Sequence, residues 1–274
     1  MRQSAKRVLD THFPAVSRVY RHFRDYVNFK NLKPYKTIFG FQLYGDAHLD
    51  TSRSESFEID TFTNYAKKSD VVVDIGANVG LFTCLAAQAG RKVLAIEPHP
   101  YNLQCLYRNI EINHFNDVEI YPVALSDHVS ILPLYGGGQG ATLLREWSGI
   151  QSNYHKLIPV NTLDNLISDR FNKQRLLIKV DVEGNEFHLL RGATVLLAMS
   201  PAPFWIIENG LSENFNDHVN PYFEQVFDLF WEQKYEAYTI GQDTQLIKPD
   251  DVRRWIRNKK NENGGINYLF LRNL

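Results

Sequence analysis

The chain has 274 residues, 44% of them apolar and 22% charged, with a formal net charge of −1. That length buries ~70% or more of the surface of the unfolded chain without staples, and the two cysteines, Cys84 and Cys105, exclude a disulfide framework and suit a reducing compartment. No apolar run approaches the ~20 residues of a membrane-spanning helix, and residues 1–30 lack the apolar stretch of a signal peptide, so the expected location is the cytoplasm.

The charge is unevenly spread. Residues 1–36 hold nine Lys/Arg and two Asp/Glu, a balance of +7, which leaves −8 for the remainder. Leu9, Phe13, Val16, Tyr20, Phe23 and Val27 recur at spacings of four and three, one apolar stripe of a helix, with Thr11 at its start and Pro14 in its first turn. Such a stripe is expected to pack on its own domain or form a homodimer seam, with peripheral membrane contact as the alternative. Without an RNA-binding signature in the body, no nucleic-acid partner is expected. Residues 37–60 read as short extended pieces leading into a helix around Ile59–Lys67. The organisation expected is therefore an N-terminal basic helix and extended segment over 1–60 and one domain over 61–274.

From residue 71 short apolar runs alternate with amphipathic helices. Val71–Ile75, Val93–Glu97, Val118–Leu125, Leu176–Asp181, Phe204–Glu208, Tyr235–Ile240 and Ile266–Leu271 read as strands, several apolar on consecutive positions, as when helices cover both faces of a parallel sheet. Helical stripes lie between them at Phe82/Leu85/Ala86/Ala89, Leu103/Leu106/Tyr107/Ile110 and Phe223/Val226/Phe227/Phe230. The pattern predicts an α/β fold with a doubly wound, mostly parallel seven-stranded sheet. Residues 126–160 break the rhythm. They contain the glycine cluster Gly136-Gly137-Gly138-Gln139-Gly140, which reads as a flexible loop or a lid near the switch point.

The segment Val73-Asp74-Ile75-Gly76-Ala77-Asn78-Val79-Gly80-Leu81-Phe82-Thr83 spans the first strand–helix junction. Gly76 permits a tight turn, Gly80 close packing or ligand approach, and the helix start offers unpaired N–H groups. The dinucleotide fingerprint G-x-G-x-x-G fails at two positions, Asn78 and Leu81. Asp74 can hold the glycine loop or face a ligand's ammonium. Glu97, 17 residues beyond Gly80 at the end of the second strand, is placed to accept both hydroxyls of a ribose.

Asp74–Thr83, followed by Glu97-Pro98-His99-Pro100 and Asn102, resembles a class I S-adenosylmethionine-dependent methyltransferase. Val123-Ala124-Leu125-Ser126-Asp127, Thr162-Leu163-Asp164, Ile178–Glu186 with its Asp-Val-Glu-Gly centre, and Leu190-Arg191-Gly192-Ala193 narrow the resemblance to the FkbM-type methyltransferases over about residues 55–210. The resemblance implies S-adenosyl-L-methionine as cofactor, with Gly76, Ala77, Asn78 and Gly80 along its methionine end and Asp74 supporting that loop. It places Glu97 on the ribose, His99 and the Ser126–Asp127 pair beside the adenine, and Glu55 or Glu58 at the acidic position before the first strand.

Methyl transfer from a sulfonium needs alignment and exclusion of water, and an alcohol acceptor also has a proton to lose. Asp181, Glu183 and Glu208 end the fourth and fifth strands and are the catalytic candidates, with Asp181 and Glu183 alternatively tying down the following loop. Asp181, Glu208 and Asn209 resemble the Mg²⁺ set of catechol-type methyltransferases. A hydrogen-bonding role without metal is the simpler expectation. His99, His155 and His188 are spare bases, and both cysteines read as core hydrophobes. The reading preferred is an O-methyltransferase acting on a small-molecule or glycan hydroxyl. The alternatives are a non-catalytic nucleoside-binding module that docks on a partner or membrane, and a nicotinamide oxidoreductase.

Overall fold

The computed structural model describes residues 32–45, 53–137, 140–145, 155–213, 215 and 218–272. The apolar stripe of residues 9–27 lies outside these, as do Gly138, Gln139 and the side chain of Glu55. A ribbon of β1 (Tyr35–Lys36) and β2 (Gln42–Leu43) precedes α1 (Arg53–Lys67). β3 (Val71–Ile75), α2 (Leu81–Gln88), β4 (Lys92–Ile96), α3 (Pro100–Ile112) and β5 (Val118–Tyr121) follow in strict alternation. Then come β6 (Ala124–Leu125), β7 (Ser130–Tyr135), β8 (His155–Asn161), α4 (Leu163–Ile167) and β9 (Leu176–Val180). The chain continues through α5 (Glu186–Arg191), α6 (Thr194–Ala198), β10 (Phe204–Glu208) and α7 (Phe223–Glu232). It closes with β11 (Glu236–Thr239), β12 (Leu246–Ile247), α8 (Pro249–Asn258) and β13 (Asn267–Leu271).

The large sheet has the order β12-β11-β13-β10-β9-β3-β4-β5. β5, β4, β3, β9 and β10 run parallel, and β13 is antiparallel to both its neighbours. All seven expected strand regions contribute to this sheet; the two-residue β12 makes an eighth strand. The run Val118–Leu125 divides at Pro122, where Val123 N donates to Tyr121 O at 2.9 Å, a three-residue turn around a proline that has no N–H to give the ladder. Its second half, β6, joins a separate sheet of order β6-β8-β7. β7 and β8 hide from periodicity because both faces are apolar: Leu134 and Ile158 are buried, while Ile131 and Leu157 are exposed. Sequence patterning also missed α8, which opens at Pro249 with Asp251 accepting from Lys248 N and buries Val252 and Trp255.

Helix α1 begins at residue 53 and so runs across the boundary drawn at residue 60. Phe41 and Leu43 of the ribbon share a core with Phe62 of α1 and Cys84 and Leu85 of α2. Strand alternation divides the core between the two faces of the sheet. Val71, Val73 and Ile75 of β3, Ile178 and Val180 of β9, and Trp205 and Ile207 of β10 face one side. Val72, Leu177 and Ile206 face the other, toward α1 and α2. The same period of two puts Asp74, Lys179 and Glu208 on that second face. Among the described residues no helix is long and apolar enough to cross a membrane.

Candidate active site

The chain reverses direction in the sheet order at β3, whose neighbours β4 and β9 follow it in sequence on opposite sides. Open α/β sheets bind ligands outside the carboxyl ends of strands at such a point. Gly76 leaves β3 there with φ +80°, and a β-carbon on it would lie 1.7 Å from Asp181 O. Asp181 N in turn donates to Ile75 O at 3.0 Å. Only glycine allows the two strand ends to meet so closely. Gly76 N and Ala77 N both donate to Ile96 O of β4, at 2.9 and 3.1 Å. The loop passes through Asn78 at φ 53° and Gly80 at φ 97° before entering α2.

Asp74 anchors this junction, although not through the glycine N–H groups. Its Oδ2 accepts from the Thr83 hydroxyl at 2.6 Å, on the first turn of α2, where the helix dipole favours an anion. Burial raises the Asp74 pKa, with Lys179 and Thr83 acting in the opposite sense.

Glu97 closes the other side. Its Oε2 accepts from Asn78 N at 2.8 Å, and its Oε1 from His99 N at 2.7 Å and Asn102 Nδ2 at 3.2 Å. Burial nevertheless pushes its carboxyl up to about 7.

A cleft of about 300 Å³ lies over these ends. Gly76, Ala77, Asn78 and Glu97 line it, with an apolar wall from Pro98, Val123, Leu125, Leu134 and Leu143. Glu58, Asp181, Glu183, Glu208 and Phe82 also line it. Asp74 and Gly80 support the loop from beneath; a β-carbon on Gly80 would meet Leu106 at 2.5 Å, so this glycine serves helix packing.

Several expected neighbours of the adenine are not in the lining. His99 is buried behind Glu97, with Lys156 Nζ 3.0 Å from its Nε2. The Ser126 backbone serves the fold: its N–H donates to Asn161 O, and its carbonyl would sit 2.2 Å from a β-carbon on Gly192. Asp127 belongs to a surface ion group, 2.6 Å from His128 and 3.7 Å from both His188 and Arg191. His188 is thereby also placed outside the cleft, and His155 is exposed on β8 against the Tyr135 ring.

The acids form a group around an unexpected residue, Lys179. It is 1% exposed in the middle of the apolar strand Leu-Leu-Ile-Lys-Val. Its Nζ lies 3.1 Å from Asp181 Oδ2, 3.3 Å from Glu58 Oε1 and 4.4 Å from the centre of the Phe82 ring. Burial works against this charge, but Asp181, Glu58, Glu208 and Asp74 outweigh it and hold the ammonium above its ordinary pKa. Glu58 also accepts from Asn267 Nδ2 at 3.2 Å. Glu208 differs from its neighbours in having no hydrogen bond or ion pair to its carboxyl among the described residues. Burial and the nearby Asp181 charge push its pKa well up, with Lys179 opposing.

The Mg²⁺ set does not assemble. Asn209 is fully buried and turned away, donating to Phe223 O and accepting from Asn220 Nδ2, each at 3.1 Å. Asp181 is already paired with an ammonium. No group of three or more His, Cys, Asp or Glu among the described residues is arranged to hold a metal ion.

The loop after β9 is tied down chiefly by a residue outside the candidate set. Glu186 Oε1 accepts from Gly184 N at 3.0 Å and Val182 N at 3.3 Å, fixing a turn in which Glu183 takes φ 54°. Thr142 Oγ1 donates to Glu183 O at 2.7 Å and brings the segment after the glycine cluster to the cleft. The remaining motif residues are structural. Asn185 Nδ2 donates to Leu125 O, and Asp164 caps α6 by accepting from Val195 N and Leu196 N. Cys84 and Cys105 are buried, their thiols pushed by burial up to about 12 and about 11.

A Beauveria bassiana protein named Methyltransferase 1 is 28% identical over 142 residues, covering 44% of this chain and 57% of its own. An uncharacterized Methanocaldococcus jannaschii protein, MJ1452, is 40% identical over 53 residues, 19% of this chain and 20% of that protein. The solved methyltransferase FkbM from Methylobacillus flagellatus KT aligns with 74% of this chain and 44% of its own at 18% identity and TM-score 0.45. In each case the match spans less than two thirds of the relative. The profile of the methyltransferase FkbM domain matches residues 74–237, more than half of the sequence and the whole stretch from Asp74 to β11. The chain belongs to the FkbM methyltransferase domain family.

Proposed function

We propose that the chain is an S-adenosylmethionine-dependent O-methyltransferase whose acceptor is a hydroxyl of a sugar, glycan intermediate or secondary metabolite. Family membership implies S-adenosylmethionine, and the residues suit it. Glu97 Oε2, which accepts from Asn78 N, keeps a second lone pair for a ribose hydroxyl, and the apolar wall from Pro98 to Leu143 suits an adenine. Asn78 Oδ1 is buried without a hydrogen-bond partner beside the loop, an unmet acceptor of the kind a ligand donor satisfies. When bound, S-adenosylmethionine supplies an electrophilic methyl on a sulfonium.

Glu208 is the observation that carries the oxygen acceptor. It lines the cleft at the end of β10, and burial beside Asp181 raises its pKa toward that of a useful base. In its ionised form it takes the acceptor's hydroxyl proton at a carboxylate oxygen. Asp181, fixed by Lys179 and by its own N–H to Ile75 O, orients the acceptor through hydrogen bonding. Phe82, Ile59 and Leu143 shield the reacting atoms from water.

Acceptor choice is assigned to residues 1–60 and 126–160, from which Glu58, Ile59, Ala141, Thr142 and Leu143 reach the cleft. Glu208, with no bonded partner among the described residues, also favours this reading over a binding module, which has no use for a base.

The test is transfer of labelled methyl from S-adenosylmethionine to a panel of glycosides and hydroxylated metabolites, with amine and carboxylate compounds as controls. An ether product is expected, with a loss of roughly 10²-fold or more in Glu208→Gln. Methylation of amines or carboxylates alone would contradict the reading.

A further inference from the structure

Lys179 lies buried beside the acids of the cleft, and the functional argument so far uses it only to fix Asp181. A lysine is expelled from a sheet interior unless the surroundings repay the loss of water around its charge. Strand register shows what repays it here. Lys179 lies directly opposite Asp74 on β3 and opposite Ile206 on β10, two residues before Glu208. Asp181 follows it by two positions, and α1 lowers Glu58 onto the same face. The ring of Phe82, from α2, lies over the ammonium, and Phe82 lines the cleft where Lys179 does not.

The charged groups facing the ammonium are thus Glu58 from α1, Asp74 from β3, Asp181 just after β9 and Glu208 from β10, while Glu183 acts on Glu208 from the turn that follows. Lys179 Nζ donates to Asp181 Oδ2 at 3.1 Å and forms an ion pair with Glu58 Oε1 at 3.3 Å. Asp74 is engaged by Thr83. Glu208 remains with no bonded partner among the described residues.

We infer that Lys179 is a positioning residue for the transfer: its fixed ammonium takes the place of a cation in the acid group, holds Asp181 and Glu58, and leaves Glu208 as the carboxyl that exchanges a proton with the acceptor. This rests on the O-methyltransferase reading above and adds to it the group that sorts the carboxyls into fixed and exchanging members. Lys179 touches neither cofactor nor acceptor, and its effect passes through Asp181, Glu58 and the local field.

The test is a carbon-13 NMR titration of the full-length chain labelled at glutamate carboxyls, with the Glu208 signal assigned by its loss in Glu208→Gln. In Lys179→Met the Glu208 pKa is expected to rise by on the order of one unit or more, and in Lys179→Arg to stay near wild type. Because loss of any nearby ammonium moves a carboxyl, the deciding readout is the pH profile of methyl transfer. Its acidic limb is expected to move upward with the Glu208 pKa in Lys179→Met and to stay near wild type in Lys179→Arg; a limb that stays in place in Lys179→Met overturns the inference. If Lys179→Met alone does not fold, the comparison is made between Glu58→Gln and Glu58→Gln/Lys179→Met, where the same upward shift is expected and its absence is equally decisive. Folding is checked by S-adenosylhomocysteine binding. Full methyl transfer by Glu208→Gln would instead remove the proton-acceptor reading itself, so the two failures are distinct.

Discussion

Asp74 and Lys179 sit opposite each other in the β3–β9 register, on the sheet face that α1 and α2 cover. The pairing turns two polar interruptions of apolar strands into one device, since Asp74 fixes the start of α2 through Thr83 while Lys179 gathers the acids at the neighbouring strand tips. Asp74→Asn retains an acceptor for the Thr83 hydroxyl and is expected to cost less than about 1 kcal/mol, whereas Asp74→Ala strands the hydroxyl and the helix N–H and should cost about 2 kcal/mol. Urea unfolding of the two variants, followed by circular dichroism, separates these outcomes.

Asn78 holds a left-handed conformation while its N–H binds Glu97 at 2.8 Å. Asparagine and glycine tolerate that geometry and β-branched residues do not. Asn78→Gly is therefore expected to bind S-adenosylhomocysteine within several-fold of wild type. Asn78→Val should lose roughly tenfold or more and about 1–2 kcal/mol of stability. Calorimetric titration and thermal melts of both variants check the difference.

Glu97 and Glu186 are both pushed by burial up to about 7. A carboxyl whose pKa is raised in the folded state stabilises the fold below its unfolded value, near 4.5 for Glu, and that contribution is lost as pH rises through about 7. The melting temperature of the ligand-free protein should thus fall between about pH 5 and about pH 8, with each group contributing on the order of 3 kcal/mol before relaxation. Under the proposed function ligand binding has the opposite sign, because an ionised Glu97 is the better acceptor for a ribose hydroxyl. The melting-temperature increase given by S-adenosylhomocysteine should grow over the same interval, and Glu97→Gln should flatten that growth while Glu186→Gln leaves it in place.

Asp181 is paired with the Lys179 ammonium, and Asn209 is bonded to Phe223 and Asn220. Millimolar Mg²⁺ is expected to leave the melting temperature within about 1 °C, and chelation with EDTA to leave methyl transfer unchanged. Restoration of lost transfer by added Mg²⁺ would refute this.

The sheet and its switch point were legible in the sequence because β3, β4, β9 and β10 are apolar runs placed between helical stripes. The Asp74–Gly80 loop and Glu97 were legible because glycine positions and a strand-end acid have few other uses together. What escaped did so for physical reasons. The outward apolar residues Ile131 and Leu157 erased the alternation of β7 and β8. Ser126 and Asp127 belong to a specific motif, yet the backbone of Ser126 and the carboxylate of Asp127 make loop and ion-pair contacts away from the cleft lining, which a motif does not foretell. Lys179 stood inside a quoted motif without a role. Its signal was a single charge in an otherwise apolar central strand, and its meaning depended on Glu58 arriving from a helix 121 positions earlier.

The most direct test of the central claim, that the β3–β4–β9 strand ends hold an adenosyl group through Glu97, is calorimetric titration of S-adenosylhomocysteine into wild type and Glu97→Ala at about pH 8. Saturable binding to the wild type, weakened at least ~10-fold in Glu97→Ala, is the expected result for loss of hydrogen bonds to a charged acceptor. No binding to the wild type, or equal affinity in the two proteins, would contradict the account.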